Sequence, residues 1–268
     1  MVGALVIFLF LILSGCENVN APELPNSVDE AFFIKGADLS MLPQIEAAGT
    51  VLFNADSLSE PMLTTLKAAG VNTVRLRLWK DPSSPGHDFS TVKYFSQRLK
   101  NEGFKVWLTV HFSDTWADPG NQAMPKKWEN VWSYSAILDS VYAYSSEIAR
   151  EIKPDFVQIG NEINSGFLFP YGDRFRYLNK FIELLDTASS AVRTFSPQSK
   201  IILHAAGILY VSTLYESLRS VDYDIIGLSY YPMWHGKPVD TLSTIISGLN
   251  SKFRKPVVIA ETSYPFTL

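Results

Sequence analysis

The chain has 268 residues, 47% apolar and 19% charged, with a formal net charge of -4, 15 Gly, 15 Pro and one Cys, a globular composition that excludes disorder. A single Cys can form neither an internal disulfide nor a cysteine zinc site, and the four His (His87, His111, His204 and His235) lack metal-ligand spacing. The mildly acidic balance, with no basic stripe, argues against a nucleic-acid partner.

At the N-terminus, Ala4 to Leu13 is an unbroken apolar run that stops at Ser14, Gly15 and Cys16. It is too short for the roughly 20 residues that cross a bilayer as a helix, so it reads as a secretory signal. Leu13-Ser14-Gly15-Cys16 resembles a bacterial lipoprotein box, which implies cleavage before Cys16 and lipid attachment there. The expectation is an exported, membrane-anchored lipoprotein with residues 1–15 as signal, 16–31 as tether and 32–268 as the catalytic domain.

From Phe32 the sequence alternates short β-branched runs with segments of helical period, the pattern of repeated βα units. Strands are predicted at Phe33 to Ala37, Thr73 to Leu78, Lys105 to His111, Asp155 to Gly160, Lys200 to His204, Asp224 to Ser229 and Pro256 to Ala260. Helices are predicted over Glu60 to Ala69, Thr91 to Asn101, Ser135 to Glu151, Arg174 to Thr194, Val211 to Ser220 and Thr241 to Phe253. Ala69-Gly70-Val71 and Glu102-Gly103-Phe104 read as left-handed helix caps just before a strand.

Nearly every predicted strand ends in chemistry: Asp38, then Arg77 and Trp79, His111 and Asp114, Asn161 and Glu162, Tyr230 and Tyr231, and Glu261. An open doubly wound sheet gathers its functional groups at one switch point, whereas a closed barrel turns every strand end toward one mouth. No dinucleotide or phosphate-loop fingerprint follows the first strand, so a TIM-type (β/α)8 barrel is favoured. After Glu261 only Thr262 to Leu268 remain, too few for an eighth βα unit, and the chain reads as a barrel short of that unit, a fragment or truncated gene product.

Glu162 and Glu261 each follow an apolar strand, Phe156-Val157-Gln158-Ile159-Gly160 and Val257-Val258-Ile259-Ala260. A carboxylate there is costly unless something uses it. Two acids facing one gap suit glycoside hydrolysis, in which one is protonated while the other is ionised. Arg77, inward by the parity it shares with Arg75 and Trp79, is the expected cation for one of them.

Six segments in chain order resemble glycoside hydrolase family 53, the endo-β-1,4-galactanases of the clan whose catalytic Glu residues lie on strands four and seven. They are Lys35-Gly36-Ala37-Asp38-Leu39-Ser40, Arg75-Leu76-Arg77-Leu78-Trp79, Phe112 to Gly120, Gly160-Asn161-Glu162-Ile163-Asn164, Ser229-Tyr230-Tyr231-Pro232 and Glu261-Thr262-Ser263-Tyr264-Pro265. The resemblance implies that Glu162 is the general acid/base and Glu261 the nucleophile of a retaining reaction on galactan or type I arabinogalactan. The carboxyl groups of such a pair lie about 5 to 5.5 Å apart.

Around that pair, Asn161 suits the 2-hydroxyl of the sugar being cleaved, and Arg77 and Tyr231 are expected to orient Glu261. His111 either bonds a sugar hydroxyl or the acid/base or is a core histidine. Asp38, Asp114 and Asn164 either bond hydroxyls or pin loops, and Asp118 shares with Asp114 the capping alternative. Tyr230 closes the sixth strand. Trp79, Trp116, Trp128, Trp132 and Trp234 fall after strands two, three and six, and Trp116 and Trp234 are the expected sugar platforms. No cofactor is implied, although the sequence is compatible with a structural calcium, and the partners expected are a polysaccharide and, through Cys16, a membrane, for a monomer. The readings kept open beside this are another β-glycanase of the clan, acting on mannan or glucan, and a glycan-binding lipoprotein without turnover.

Overall fold

The computed structural model describes residues 33–130, 133–235 and 239–263, so Cys16, the signal, the tether and Trp132 lie outside the described residues. Among these the order is β1 (Gly36–Asp38), α1 (Leu42–Ala47), α2 (Met62–Ala68), β2 (Thr73–Leu78), α3 (Phe89–Asn101), β3 (Lys105–Val110), α4 (Lys126–Glu129) and α5 (Tyr134–Glu151). There follow β4 (Phe156–Ile159), α6 (Leu178–Phe195), β5 (Lys200–Ala206), α7 (Val211–Ser217), β6 (Ile225–Ser229), α8 (Pro232–His235), α9 (Val239–Phe253) and β7 (Val257–Glu261). All six strand pairings are parallel and run in chain order from β1 to β7, as successive βα units require.

The helix ends follow from local chemistry. Asp88 caps α3 by accepting from the Thr91 amide at 3.0 Å, and Ser133 caps α5 by accepting from Ala136 at 3.2 Å. Gly70 and Gly103 take φ of 83° and 84°, and behind them Val71 donates to Leu66 and Phe104 to Leu99, closing α2 and α3 with the expected left-handed caps. The α6 helix begins at Leu178 rather than Arg174, because the Asp173 carboxylate takes the amides of Phe175 and Arg176 into a side-chain turn. The short helices α1, α4 and α8 carry no helical signature in the sequence, because each has fewer than seven residues, too few to display a period.

Alternate residues of each strand serve two cores. Val74, Leu76, Val106, Leu108, Val157, Ile159, Ile201, Leu203, Ile226 and Leu228 join the buried cluster shared with the helices. Trp107, Phe156, Ile202 and Ile225 fill the interior, with Ile34, Val258 and Ala260 packed against them. Above this apolar floor the inward positions turn polar. One side chain there, Arg75 of β2, touches Asp38 of β1, Gln158 of β4, Asn161 after β4 and Glu261 of β7. Contacts from a single guanidinium on β2 with β1, β4 and β7 mean that the sheet is curled into a TIM-type barrel, with β1 and β7 at its two ends.

Candidate active site

Strict alternation would not bring Glu261 inward. Val258 and Ala260 face the interior cluster, whereas Val257 and Ile259 pack against the outer one, the side that Glu261 would follow. The register shifts at this point, with Leu228 opposite Ile259 but Ser229 opposite Glu261, and the irregularity turns the carboxylate into the barrel. At β4 a tighter device does the same. Gly160 and Glu162 both adopt positive φ, 75° and 49°, which breaks the strand after Ile159 and brings Asn161 and Glu162 to the mouth together. A side chain larger than glycine held in that conformation is strained, and such strain persists where the surroundings fix it. Here the Glu162 amide donates to His204 Nδ1 at 3.3 Å.

The two carboxylates sit in unlike surroundings. Glu261 is gripped from both sides, Oε1 by Arg75 at 2.7 Å and Oε2 by the Tyr231 hydroxyl at 2.8 Å. Burial and the neighbouring Glu261 charge push the Tyr231 phenol upward, so it remains a donor. Glu162 has no cation at contact distance among the described residues; its Oε1 accepts from Ser229 Oγ at 2.6 Å. Burial raises its pKa, the Ser229 hydrogen bond pulls the other way, and the charge of Glu261 adds to the rise. A carboxylate bound by a cation and a phenol, beside an acid whose burial favours its protonated form, is what acid-assisted displacement needs.

Behind Glu162 runs a connected chain of buried polar groups. Gln158 Nε2 stands 3.0 Å from His204 Nδ1, and His204 Nε2 stands 2.9 Å from Ser229 Oγ. With Nδ1 facing the amides of Gln158 and Glu162 it accepts, so Nε2–H donates to Ser229, and the hydroxyl proton is turned onto Glu162 Oε1. The acid's own proton is thereby left for Oε2. Substituting Ser229→Ala removes a hydrogen bond that favours the carboxylate, which raises the Glu162 pKa and keeps the acid form to higher pH. The basic limb of the kcat/KM profile is expected to move to higher pH. An unmoved limb would separate Ser229 from the acid.

Arg77 is not the partner of Glu261. Two residues further along β2, about 6.6 Å, its guanidinium reaches Asp38 at 3.5 Å and lies over the Trp116 ring at 5.1 Å, while Arg75 below it is the cation paired with Glu261. His111 contacts neither carboxylate. It is buried, its Nδ1 accepts from the Ala117 amide at 3.0 Å, and burial holds its pKa well below the usual value, so it is a neutral support for the loop after β3.

Asp114 spends its two oxygens on the amides of Asp81 and Lys126, and Asn164 pairs with both backbone groups of Ala206, so both pin loops rather than face the mouth. Asp38 binds Ser40 and Arg75 at the rim of β1. Tyr230 is buried and donates its amide to the Glu261 carbonyl at 2.8 Å. Asn161 is buried between Arg75 and the Ala117 carbonyl.

Of the tryptophans, Trp128 is core, Trp79 packs on His87 and His111, and Trp116 and Trp234 are exposed, Trp234 lying 5.1 Å from Tyr231. A cavity of about 440 Å³ runs between β1 and β7, bounded by Asp38, Arg75, Arg77, Trp116, Tyr231 and Glu261. Among the described residues no three His, Cys, Asp or Glu side chains gather as a metal site.

Comparison with known proteins falls on the same residues. The family model described as glycosyl hydrolase family 53 matches residues 34–268, which takes in every strand and both glutamates. The chain belongs to this family. It is 33% identical to the endo-beta-1,4-galactanase of Bacillus subtilis, over 88% of this chain and 57% of that protein. It is 30% identical to the arabinogalactan endo-beta-1,4-galactanase of Cellvibrio japonicus, over 90% of this chain and 68% of the relative. The solved GH53 catalytic domain of Ignisphaera aggregans superposes with a TM-score of 0.83 at 36% identity, covering 92% of this chain and 71% of that one. As a family 53 member the chain is a glycoside hydrolase, and Arg75, Gln158, His204 and Ser229, whose roles the sequence did not disclose, are the buried groups that hold its glutamates.

Proposed function

We propose that the protein is an endo-acting β-1,4-galactanase that cleaves galactan or type I arabinogalactan with retention, Glu261 acting as nucleophile and Glu162 as acid/base. The observation that carries the mechanism is the unlike treatment of the two carboxylates, one bound by Arg75 and Tyr231, the other raised by burial. The galactanase names of the relatives support the substrate.

In the first step a Glu261 oxygen attacks the anomeric carbon, the bond to the leaving sugar breaks, and the Glu162 proton passes to the departing oxygen. In the second, Glu162 as carboxylate takes a proton from water, the water oxygen attacks the same carbon, and the ester to Glu261 breaks. Two inversions give net retention. Incubation with β-1,4-galactan, followed by proton NMR of the fresh products, is expected to show the β anomer first, before mutarotation. An α anomer first would refute the mechanism, and release from mannan or glucan but not galactan would refute the substrate.

A further inference from the structure

Tyr231 holds Glu261 Oε2 through its phenol, and what holds Tyr231 is the imidazole of His235, at the end of the short helix α8. His235 Nδ1 accepts the Tyr231 amide at 3.0 Å, and the His235 amide donates back to the Tyr231 carbonyl at 2.8 Å, joined there by the Trp234 amide at 3.0 Å. Both backbone groups of the tyrosine are thereby fixed. The preceding residue, Tyr230, donates its amide to the Glu261 carbonyl at 2.8 Å, so the segment after β6 grips Glu261 by backbone and side chain alike.

The imidazole can do this in one protonation state only. A ring nitrogen that faces an N–H must offer its lone pair, so the neutral ring carries its proton on Nε2 and Nδ1 is bare. Half-buried, His235 packs against Tyr230 and Tyr231, with ring centroids 6.1 and 6.0 Å away, and against the loop after β5, where Gly207 takes a φ of 70° and a Cβ would come within 3.4 Å of Nε2. The titratable groups facing it are those two phenols, and among the described residues no ion pair reaches it. Burial pushes its pKa below the usual histidine value, which favours the bare form at neutral pH. A proton added to Nδ1 points at the Tyr231 N–H, and two donors cannot share one bond.

We propose that His235 is a positioning residue for Glu261, acting through Tyr231: the unprotonated imidazole fixes the tyrosine, and protonation at Nδ1 releases it and slows turnover. This role rests on the reading of Glu261 as nucleophile, and it adds a titrating group that bonds neither glutamate among the described residues.

Two substitutions separate the acceptor from the charge. His235→Asn keeps an acceptor that does not titrate, since Oδ1 stands as many bonds from Cβ as Nδ1 does, and His235→Ala removes it. On β-1,4-galactan at neutral pH, His235→Ala is expected to lower kcat about fivefold with KM little changed, the scale of one lost hydrogen bond, and His235→Asn to recover most of that loss. As the pH falls through the range in which histidine titrates, the ratio of kcat in His235→Asn to that in the wild type should rise by about the same factor. That arm needs only His235→Asn and so survives a folding failure of His235→Ala. In a Tyr231→Phe background, which lacks the phenol, His235→Ala should cost almost nothing more, because the route through Tyr231 is already cut.

A mere cap on α8 would lower thermal stability and leave kcat, its pH dependence and that coupling untouched, and this result would overturn the role alone. Absence of turnover on any galactan by the wild-type protein would overturn the galactanase reading and the role with it.

Discussion

Glu261→Gln is expected to lower kcat on β-1,4-galactan by about four orders of magnitude, a loss of about 5.5 kcal/mol in the barrier. The amide keeps the shape of the side chain but cannot form the glycosyl ester, and its surroundings still offer Arg75 and Tyr231 as donors. The companion variant Glu261→Ala opens the space the carboxylate occupied. Azide added to that variant, with an activated aryl galactoside, is expected to restore turnover and give the α-galactosyl azide, because the small anion attacks from the nucleophile's face with a single inversion. Rescue giving a β product, or turnover of Glu261→Gln near the wild-type rate, would place the nucleophile elsewhere.

The second large effect belongs to Arg75, where structure and catalysis meet. Its guanidinium bonds Asp38 at 3.1 Å, Glu261 at 2.7 Å, Asn161 at 3.0 Å and Gln158 at 3.4 Å from a position 5% exposed. Arg75→Met leaves a buried carboxylate without its cation, and breaking a buried pair from one side typically costs about 3–5 kcal/mol. Urea unfolding is expected to show a loss of that size, and activity should fall together with it. Arg75→Lys should not restore either, since one ammonium cannot span four acceptors held in a planar fork's geometry. Arg77→Met is the contrast. Its only ion pair among the described residues is the 3.5 Å contact with Asp38 at the rim, so its stability loss should stay within about 1 kcal/mol. Equal losses for the two arginines would contradict the assignment of the inner one to Glu261.

Much of the barrel is legible in the chain because period and caps are local properties. The seven strand positions, the long helices and the Gly70 and Gly103 caps follow from β-branched runs, 3.6-residue spacing and the backbone freedom glycine has. Both glutamates are conspicuous because acids interrupt apolar runs. Less could be read of their surroundings. Arg75 and Arg77 share a parity, so alternation cannot tell which is deeper, and only the curl of the sheet puts Arg75 level with Glu261. The register shift at β7 and the positive φ of Glu162 turn side chains against strict alternation, and neither leaves a mark in composition. Gln158 did leave one, a polar residue inside the buried run Phe156 to Ile159, and it proves to be a hub for Trp107, Thr109, His204 and Asn161. His204 and Ser229 meet across strands, a fact that spacing along one strand cannot contain.

Covalent trapping distinguishes the two glutamates. A 2-deoxy-2-fluoro-β-galactosyl substrate with an activated leaving group slows both steps but leaves the first accessible, so the glycosyl-enzyme accumulates and peptide mass spectrometry can locate it. One adduct per chain is expected, on the peptide carrying Glu261, formed far more slowly in Glu162→Gln when the leaving group is poor. An adduct on Glu162 or on any other residue, or inverted product with no adduct, would contradict it.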